Sequence, residues 1–595
     1  MRRFIVGLLA TIGFLVFLVI GGGIAAWYWF KPSHPGMPDS VVLTLDLTKA
    51  IPEAPPDNPL SRLLTEDRLS LRDILDALDR GGDDQRVKGV VARIGDDDMG
   101  FGKVQELRDA VQAFRAKGKF AIAFAETYGE FGSGGTRSYY LATAFDQIWL
   151  QPLGEVGLIG VRSESPFFRG LLEKLDIEPR LDHRSEYKSA MNMITEKAMT
   201  PPHREEVQAV LSSVFGQIVR DVAKARGIEE AEVRRLVDGA PYLADDALHN
   251  RLVDQLGYRD DAMQAAQQRA GGAVTMRLAA YLDRVGPNRD GPTIALIYAN
   301  GLIQRGNHGA NPLSEAGVVG SDTMVRAFRA AAADPAVRAI LFRVDSPGGS
   351  AVASETIWRE VVRVRKAGKP VIVSMGDVAG SGGYYIAAAA DKIVAHPATL
   401  TGSIGVVAGK ILTAGAWAKL GVTWDAVQIG QNASMSSTIE DFTPDGKQRF
   451  ETFLDAVYAG FKDRVAQGRN MSPEAVEAVA KGRAWSGEDA KANGLVDALG
   501  GYDVALRLAK EAARLPADAH VALKTYPPEE DPREYILARL FGRDRDSDGR
   551  PPGVAAEIGQ ALAWVQQLAL AIRMETGATG VLSMPPEVLP DRRAP

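Results

Sequence analysis

An internal repeat constrains this chain more than any other feature, because one sequence pattern occurs twice, 245 residues apart. Tyr139 and Tyr140 of the first copy match Tyr384 and Tyr385 of the second at this offset. The same offset relates further pairs: Asp146 with Asp391, Pro152 with Pro397, Gly157 with Gly402, and Gly160 with Gly405. A chain of 595 residues can bury more than one hydrophobic core, so the repeat predicts two similar domains.

The two copies differ at two positions that bear reactive side chains. Lys188 of the first copy lies opposite Ala433 of the second, whereas Ser381 of the second lies opposite Thr136 of the first. The two positions are 52 residues apart in both copies, so a single ancestral domain with serine and lysine would explain both. Each copy has kept one member of the pair. We therefore predict a shared site where the two copies meet.

Composition excludes several classes of function. A net charge of −6 leaves no basic footprint for nucleic acid, so we predict no nucleic-acid partner. The chain has no cysteine, which removes thiol catalysis, cysteine metal sites and disulfides. Its seven histidines are scattered and form no His-Glu-x-x-His motif. We therefore expect neither a metal nor a cofactor.

The N-terminus predicts a membrane anchor. Phe4 to Phe30 is a run of 27 residues without a charge, where roughly 20 residues span a bilayer. Arg2 and Arg3 precede it, so the tip 1–3 is expected in the cytoplasm and the body outside it, in a bacterial periplasm. Residues 4–30 would then contact lipid of the cytoplasmic (inner) membrane. A cleaved signal peptide is the alternative, but the run is long and lacks a clean Ala-x-Ala site.

The rest of the chain divides into two α/β repeats and their connections. The predicted segments are a linker at 31–40, a first repeat at 41–270, a connector at 271–292, a second repeat at 293–525 and a tail at 526–595. Short apolar strands are predicted at 41–47, 87–94 and 120–125, and at 293–298, 337–344 and 371–375. Such strands alternate with helical stretches, which is typical of a parallel α/β fold. Within the tail, residues 557–575 predict an apolar-rich helix that packs on the body, or alternatively rests near the membrane.

Ser381 is the candidate nucleophile. It lies in the Gly-Ser-Gly-Gly segment 380–383, after an apolar strand and before a helix. A helix N-terminus offers free N–H groups and the positive end of a dipole, and glycines let a substrate approach the backbone closely. A plain helix cap would also use a serine here, so this segment alone leaves both interpretations open.

A second glycine segment supports the catalytic interpretation. Residues 346–350 also end a buried strand and open a helix. Two such segments on neighbouring strands can form an oxyanion hole with two donors, each worth roughly 3–4 kcal/mol in acyl transfer. We predict Gly348 and Gly382 as the donors, with Gly349 as a further candidate. The first copy has the acidic residues 96–98 in this position, which would repel an oxyanion.

A serine nucleophile needs a base, and lysine is the best candidate. His396 lies in an Ala-His-Pro turn only fifteen residues after Ser381, so we interpret it as structural. A lysine base must be neutral, which requires its pKa to fall from about 10.4 toward 7–8 through burial. Lys188 at a domain interface meets this requirement, although its local sequence alone would also fit a surface lysine. Ser403 is predicted to orient the lysine, with a simple turn serine as the alternative.

Another Gly-Ser-Gly-Gly segment occurs in the first copy, at 132–135. Its Ser133 lies six residues before the tyrosine pair, whereas Ser381 lies three residues before its own pair. The two serines are therefore out of register, and we expect Ser133 to be a loop residue within a five-residue insertion.

These motifs resemble those of bacterial signal peptide peptidase A in its long, duplicated form, a group of serine proteases in the ClpP/crotonase superfamily. The matching segments are 187–189, 346–350, 375–385 and 401–405, and the similarity extends from about 41 to 525. The resemblance implies an α/β fold with two tandem ClpP/crotonase-like domains after an N-terminal transmembrane helix. It also implies that Ser381 is the nucleophile, that Lys188 is the general base, and that four copies form a bowl on the outer face of the cytoplasmic membrane.

We therefore predict a membrane-anchored serine endopeptidase with a Ser/Lys dyad. Its expected substrates are cleaved signal peptides and other hydrophobic peptides, an expectation that rests on the resemblance and on the predicted anchor. Two alternatives remain. A crotonase-type acyl-CoA enzyme would use the same oxyanion hole on a thioester, although CoA is cytosolic. A catalytically inactive scaffold is the other, because each copy has already lost half of its dyad.

Overall fold

A computed structural model describes most of the two repeats. The described residues are 36–55, 69–95, 99–131, 134–286, 291–307, 317–527 and 581–583. No helix within these ranges is long and apolar enough to cross a bilayer. The predicted anchor at 4–30 and the predicted tail helix at 557–575 lie outside the described residues, as do Ser133 and the acidic residues 96–98.

The first repeat is an α/β domain built on a parallel sheet. Its strands are β1 (Val41–Leu47), β2 (Val87–Ile94), β3 (Phe120–Ala125), β4 (Gln147–Leu150), β5 (Glu155–Val156), β6 (Glu178–His183), β7 (Tyr242–Leu243), β8 (Gln255–Leu256) and β9 (Val274–Arg277). Its helices are α1 (Leu71–Asp83), α2 (Phe101–Ala116), α3 (Gly135–Ala142), α4 (Arg169–Lys174), α5 (Asn192–Thr195), α6 (Pro201–Arg226), α7 (Glu230–Gly239), α8 (Ala244–His249), α9 (Arg259–Arg269) and α10 (Leu278–Val285). The main sheet has the order β8-β4-β3-β2-β1-β9, and all of its pairs are parallel.

The second repeat has the same architecture. Its strands are β10 (Thr293–Asn300), β11 (Leu302–Gln304), β12 (Val318–Gly320), β13 (Val337–Ser346), β14 (Gly348–Ser350), β15 (Val371–Gly380), β16 (Lys392–Ala395), β17 (Leu400–Gly402), β18 (Val407–Leu412), β19 (Ala484–Ser486), β20 (Ala498–Leu499) and β21 (Ala522–Tyr526). Its helices are α11 (Ser321–Ala333), α12 (Ala351–Lys366), α13 (Gly382–Ala387), α14 (Ala414–Lys419), α15 (Pro444–Arg469), α16 (Pro473–Val479), α17 (Gly487–Ala492) and α18 (Tyr502–Ala512). A final strand, β22 (Val581–Ser583), follows in the tail.

The sheet topology confirms the predicted duplication. The parallel path β20-β16-β15-β13-β10-β21 of the second repeat corresponds strand for strand to the path of the first. The strands predicted in the first repeat are observed at the expected residues. In the second repeat all three predicted strands extend beyond their predicted ends. The last residues of β13 and β15 continue to pair as the backbone enters the two glycine segments, and the last two residues of β10 pair with β13.

Local sequence explains the longest helix of each repeat. Thr200 and Thr443 cap α6 and α15, and in both cases the threonine hydroxyl accepts a backbone N–H three residues later. A proline occupies the first helical position of both, where no intrahelical N–H bond is lost. Each helix ends at a residue in the left-handed region, Gly227 or Asn470. The repeats therefore share the start and end signals of these helices.

The two repeats are joined by a strand pair and by a buried ion cluster. β6 of the first repeat pairs antiparallel with β18 of the second over six residues, in a sheet with the order β12-β11-β14-β22-β18-β6. Elsewhere the Arg343 guanidinium of β13 reaches into the first repeat, where it contacts Glu53 at 2.6 Å and Glu106 at 2.7 Å. The strand pair directs the residues that follow β6, including Lys188, toward the second repeat.

Candidate active site

The structure brings Lys188 and Ser381 together across the interface between the repeats. The Lys188 Nζ atom lies 2.8 Å from the Ser381 Oγ atom, which is hydrogen-bond distance. Both side chains are almost completely buried, at 1% and 0% exposure. Their counterparts do not form a second such pair: the Thr136 hydroxyl donates to the Gly160 carbonyl at 2.9 Å, and Ala433 is exposed.

Ser381 has an unusual backbone conformation. Its φ of 53° and ψ of −116° place a non-glycine residue where L side chains rarely occur. The Ser381 N–H donates to the Gly402 carbonyl at 2.8 Å, and the Ser381 carbonyl accepts the N–H of Tyr385 at 2.9 Å. These bonds fix the sharp turn between β15 and α13, which presents the hydroxyl to the lysine.

Burial favours the neutral form of the Lys188 amine. Removal from water lowers the pKa of Lys188 to about 7, and the nearby Glu206 carboxyl opposes this decrease. The lysine backbone lies against Gly482, where a β-carbon would come within 2.5 Å of the Lys188 nitrogen. At Gly405, a β-carbon would lie 3.0 Å from the Lys188 Cδ atom. Two glycines of the second repeat therefore leave room for this lysine.

Ser403 contacts the amine directly. The Lys188 Nζ atom donates to the Ser403 hydroxyl and to the Ser403 carbonyl, both at 3.0 Å. Ser403 also has a positive φ of 49°, and its N–H donates to the Arg483 carbonyl at 2.8 Å. The amine thus has three oxygen partners, of which one is the Ser381 hydroxyl. This arrangement can orient a neutral amine so that its lone pair faces the serine proton.

The two glycine segments meet beside Ser381. A β-carbon at Gly382 would lie 3.0 Å from the Gly349 nitrogen and 3.1 Å from the Gly348 Cα atom. As the first residue of α13, Gly382 has an N–H without an intrahelical acceptor. The Gly348 N–H makes a long bond to the Ser346 hydroxyl, at 3.2 Å. The three candidate donors therefore lie together, although the Gly348 N–H has a partner in this structure.

His396 is at the interface but belongs to a different cluster. It is buried, with its two ring nitrogens 3.7 Å from carboxyl oxygens of Glu106 and Asp109. Those carboxyls raise the pKa of His396 against the opposing effect of burial. The structure therefore places this histidine within the charged contacts that join the repeats, in agreement with its interpretation as structural.

Sequence reasoning missed two residues of the site. Gly482 supports the lysine backbone, and Glu206 is a buried carboxyl on α6 whose charge acts on Lys188. The repeat comparison contains a signal for Glu206: by alignment of the capping threonines of α6 and α15, its counterpart is Arg449. Among the described residues, no group of three or more His, Asp or Glu side chains is arranged to hold a metal ion.

Comparisons with known proteins identify relatives for most of the chain. The model of peptidase family S49 matches residues 113–272 and 363–516. Protease 4 of Salmonella typhi is 34% identical over 530 residues, which cover 84% of this chain and 83% of that protein. The chloroplastic serine protease SPPA of Arabidopsis thaliana is 31% identical over 466 residues, covering 76% of this chain and 67% of that protein.

Solved structures also include similar chains. A variant of the 1510-N membrane-bound stomatin-specific protease is 18% identical with a TM-score of 0.25, covering 40% of this chain and 99% of that chain. A variant of ClpP1 from Listeria monocytogenes is 16% identical with a TM-score of 0.21, covering 35% of this chain and 92% of that chain.

The family match agrees with the duplication seen in the fold. One matched stretch lies in each repeat, and together they include more than half of the 595 residues. Both long relatives have protease names, one of them that of a serine protease, and they cover 84% and 76% of this chain. The chain is therefore a serine protease that belongs to peptidase family S49, with the family domain present twice.

Proposed function

We propose that this endopeptidase uses Ser381 as its nucleophile and Lys188 as its general base, contributed by different repeats of one chain. The observation on which this rests is the 2.8 Å contact between the two buried side chains. A pKa of about 7 leaves a substantial fraction of the amine neutral near neutral pH, as a base requires. Ser403 orients the amine through its two oxygen contacts.

The reaction is an acyl transfer in two steps. Lys188 Nζ accepts the Ser381 proton while the serine Oγ bonds to the substrate carbonyl carbon, and the carbonyl oxygen becomes an oxyanion. The N–H groups of Gly382 and Gly348 donate hydrogen bonds to that oxyanion. The Gly348 N–H must first release its long bond to the Ser346 hydroxyl, and Gly349 lies next to both donors. The Lys188 ammonium then protonates the departing amine. Lys188 then takes a proton from water as the water oxygen bonds to the acyl carbon, the ester bond to Ser381 Oγ breaks, and the Lys188 ammonium returns the proton to that oxygen as the carboxyl product leaves.

Substrate peptides are proposed to bind as an extended strand next to the glycine segment 348–350. In the structure this position accepts backbone from the tail: β22 runs antiparallel to β14, and Val581 also pairs with Val407 of β18. A peptide in this place would form main-chain hydrogen bonds with β14, which bind an extended chain whatever its side chains are. It would also lie beside Ser381, because α13 contacts β14.

The proposed substrates are hydrophobic peptides at a membrane, including cleaved signal peptides. The uncharged run at 4–30 supports a single-pass anchor in the cytoplasmic membrane with the catalytic body in the periplasm. A relative from Enterococcus faecium named as a putative signal peptide peptidase is 37% identical over 182 residues, 31% of this chain and 53% of that protein. We also propose that each repeat is of the ClpP/crotonase type, in accordance with the strand order that the repeats share and with the two glycine segments of the second repeat.

We further propose a ring of four copies, joined by strand pairs that repeat the internal one. At the offset of 245 residues, β18 corresponds to 162–167 and β6 corresponds to 423–428. Neither of these two segments belongs to a sheet in the described part of the chain. The segment 423–428 is exposed throughout and includes Trp424 and Val427 at 57% and 98% exposure. Pairing 423–428 of one copy with 162–167 of the next would give a head-to-tail contact. A series of such contacts forms an assembly of fixed size only if it closes into a ring.

Peptide hydrolysis tests the proposed dyad. Ser381→Ala and Lys188→Ala should each abolish turnover of a hydrophobic reporter peptide, whereas Ser133→Ala, which removes the serine of the other Gly-Ser-Gly-Gly segment, should not. Full activity of Lys188→Ala would show that the base lies elsewhere. The same preparations address the two alternatives: turnover of an acyl-CoA thioester would favour a crotonase activity, and failure of a serine-directed phosphonate to label the protein would favour an inactive scaffold.

A further inference from the structure

Glu206 is a buried carboxyl close to the proposed base. It lies in the second turn of α6 and is fully buried, whereas its neighbour Glu205 is exposed and binds Arg483 and the Tyr187 hydroxyl. The Glu206 Oε2 atom accepts the Ser189 hydroxyl at 3.2 Å, and its Oε1 atom accepts the Ala484 N–H. The carboxyl thus connects the residue after Lys188 with the first residue of β19.

The segment that Glu206 holds is the one that positions the base. Tyr187 donates its N–H to the Lys481 carbonyl at 3.1 Å, and Gly482 lies against the Lys188 backbone. The Arg483 carbonyl accepts the N–H of Ser403, whose two oxygens contact the Lys188 amine. Residues 481–484 therefore touch both the lysine and its orienting serine, and Glu206 fixes the end of this segment.

The ionisation of Glu206 is linked to that of Lys188. Burial raises the pKa of Glu206 to about 8, and the bonds from Ala484 and Ser189 and the charges of Lys188 and Arg483 act against that increase. Burial lowers the pKa of Lys188 to about 7, and Glu206 acts against that decrease. The charge of each group therefore favours the ionised form of the other, so the two ionisations are linked.

The charged and titratable groups described around this pair lie on the segment 481–484, on α6 and beside Lys188. Arg483 contributes a positive charge to Glu206, and its guanidinium also contacts the exposed carboxyl of Glu205 at 2.9 Å. The Cζ atom of the same guanidinium lies over the Tyr187 ring, 4.9 Å from the centre of the ring. His203, one turn earlier on α6, lies near Asn192 and Phe167. The positive charge of Arg483 therefore favours the ionised form of Glu206.

The second repeat provides an internal comparison. There the lysine position is the exposed Ala433, and the counterpart of Glu206 on α15 is Arg449, whose guanidinium is paired with Asp445 at the surface. The helices themselves have the same capping threonine, the same proline and the same length of 26 residues. A buried carboxyl thus occurs on this helix in the repeat that has the lysine, and an exposed arginine occurs in the repeat that does not.

We propose that Glu206 is a positioning residue that holds residues 481–484 against Lys188, and that its charge shifts the pH range in which the amine can accept the Ser381 proton. This proposal rests on the proposed Ser381/Lys188 dyad. When Glu206 is ionised it stabilises the Lys188 ammonium and delays the appearance of the free amine. When Glu206 is protonated the amine is free to act.

The test is the pH profile of kcat/KM for Glu206→Gln in the full chain. Glutamine keeps the size and an acceptor for the Ala484 N–H but cannot ionise. We expect the acid side of the profile to move to lower pH, by up to about one pH unit, and to fit a single ionisation, because the ammonium loses the opposite charge that Glu206 provides whenever it is ionised. The matched control is Glu205→Gln, which removes the neighbouring exposed carboxyl and should leave the profile unchanged.

Two outcomes would overturn the proposal. An acid limb of Glu206→Gln that coincides with the wild-type limb, with activity lowered equally at every pH, would mean that Glu206 only supports the fold. If Glu206→Gln fails to fold, Ser189→Ala replaces it: loss of the hydroxyl bond disfavours the ionised carboxyl, so a smaller shift in the same direction is expected, and no shift would reject the proposal. Loss of activity in Lys188→Ala together with an unshifted limb would leave the dyad standing and reject only the role of Glu206.

Discussion

At Lys188 the free energy of burial determines whether the side-chain amine is protonated. An ammonium without water is costly, and here three oxygens and one nearby carboxyl replace only part of its hydration. The folded protein therefore lowers the pKa of the amine to about 7, whereas a lysine in water titrates near 10.4. Sequence spacing identified this lysine, and its burial explains how it can act as a base.

The first prediction concerns pH. Because only the neutral amine accepts the serine proton, kcat/KM should rise as pH increases through about 7 and decline below it. The measurement is hydrolysis of a hydrophobic reporter peptide between about pH 5 and about pH 9. Lys188→Arg should be inactive throughout this range, since a guanidinium does not deprotonate in proteins. An active arginine variant would contradict the proposed role of the lysine.

A second prediction at this scale concerns Ser403. Ser403→Ala removes the hydroxyl that lies 3.0 Å from the amine but keeps the carbonyl contact. Loss of one hydrogen bond of about 1 kcal/mol should reduce kcat about fivefold to tenfold, with little effect on KM, because the substrate does not contact this hydroxyl in the proposed mechanism. Steady-state kinetics separates the two constants. A higher KM with unchanged kcat would instead place Ser403 in substrate binding.

At the scale of elements, the connection from α16 to β19 matters because it runs against the lysine. Gly482 has a φ of 79°, and a β-carbon there would come within 2.5 Å of the Lys188 nitrogen. Glycine is therefore required both by the backbone conformation and by the space available. The same short segment, between α16 and β19, also provides the Arg483 carbonyl that accepts the Ser403 N–H.

A glycine pair separates these two requirements experimentally. Gly482→Ala should abolish activity and lower the midpoint of thermal unfolding, since the lysine backbone must move. Gly494→Ala is the matched control. An alanine at its φ of 86° would be strained in the same way, but its β-carbon would meet nothing within 4 Å. It should lower stability by about 1 kcal/mol and leave kcat/KM near the wild-type value. Equal loss of activity in both variants would show that strain alone, not contact with the lysine, is responsible.

The pairing of β22 with β14 leads to a further prediction. The tail strand occupies the edge at 348–350 that we assign to the substrate. A variant that lacks residues 528–595 should therefore bind peptide with a lower KM, by roughly twofold to tenfold, since each displaced hydrogen bond is worth about 0.5–1.5 kcal/mol. The value of kcat should change little, because the dyad is intact. A higher KM in this variant would mean that the tail helps to bind the substrate.

At the scale of the whole molecule, the duplication explains what the sequence could predict. The constant offset located Ser381 and Lys188 as partners, because duplicated domains keep equivalent residues in equivalent places. The three strands predicted in the first repeat are correct, since continuous apolar runs are typical of strands buried on both faces. The offset gave no information about contacts made by one repeat only. Glu206 is an example, because its burial depends on β19 of the other repeat, which no local pattern reveals.

The same symmetry predicts how copies assemble. If 423–428 pairs with 162–167 of the next copy, a charge placed within that contact should prevent it. Val427→Lys should therefore convert the proposed ring of four into smaller species in sedimentation equilibrium, whereas Val274→Lys, which alters another exposed valine outside both segments, should not. Because each chain contains both Ser381 and Lys188, peptide hydrolysis per chain should survive the loss of assembly. An unchanged assembly of Val427→Lys would place the contact between copies on another surface.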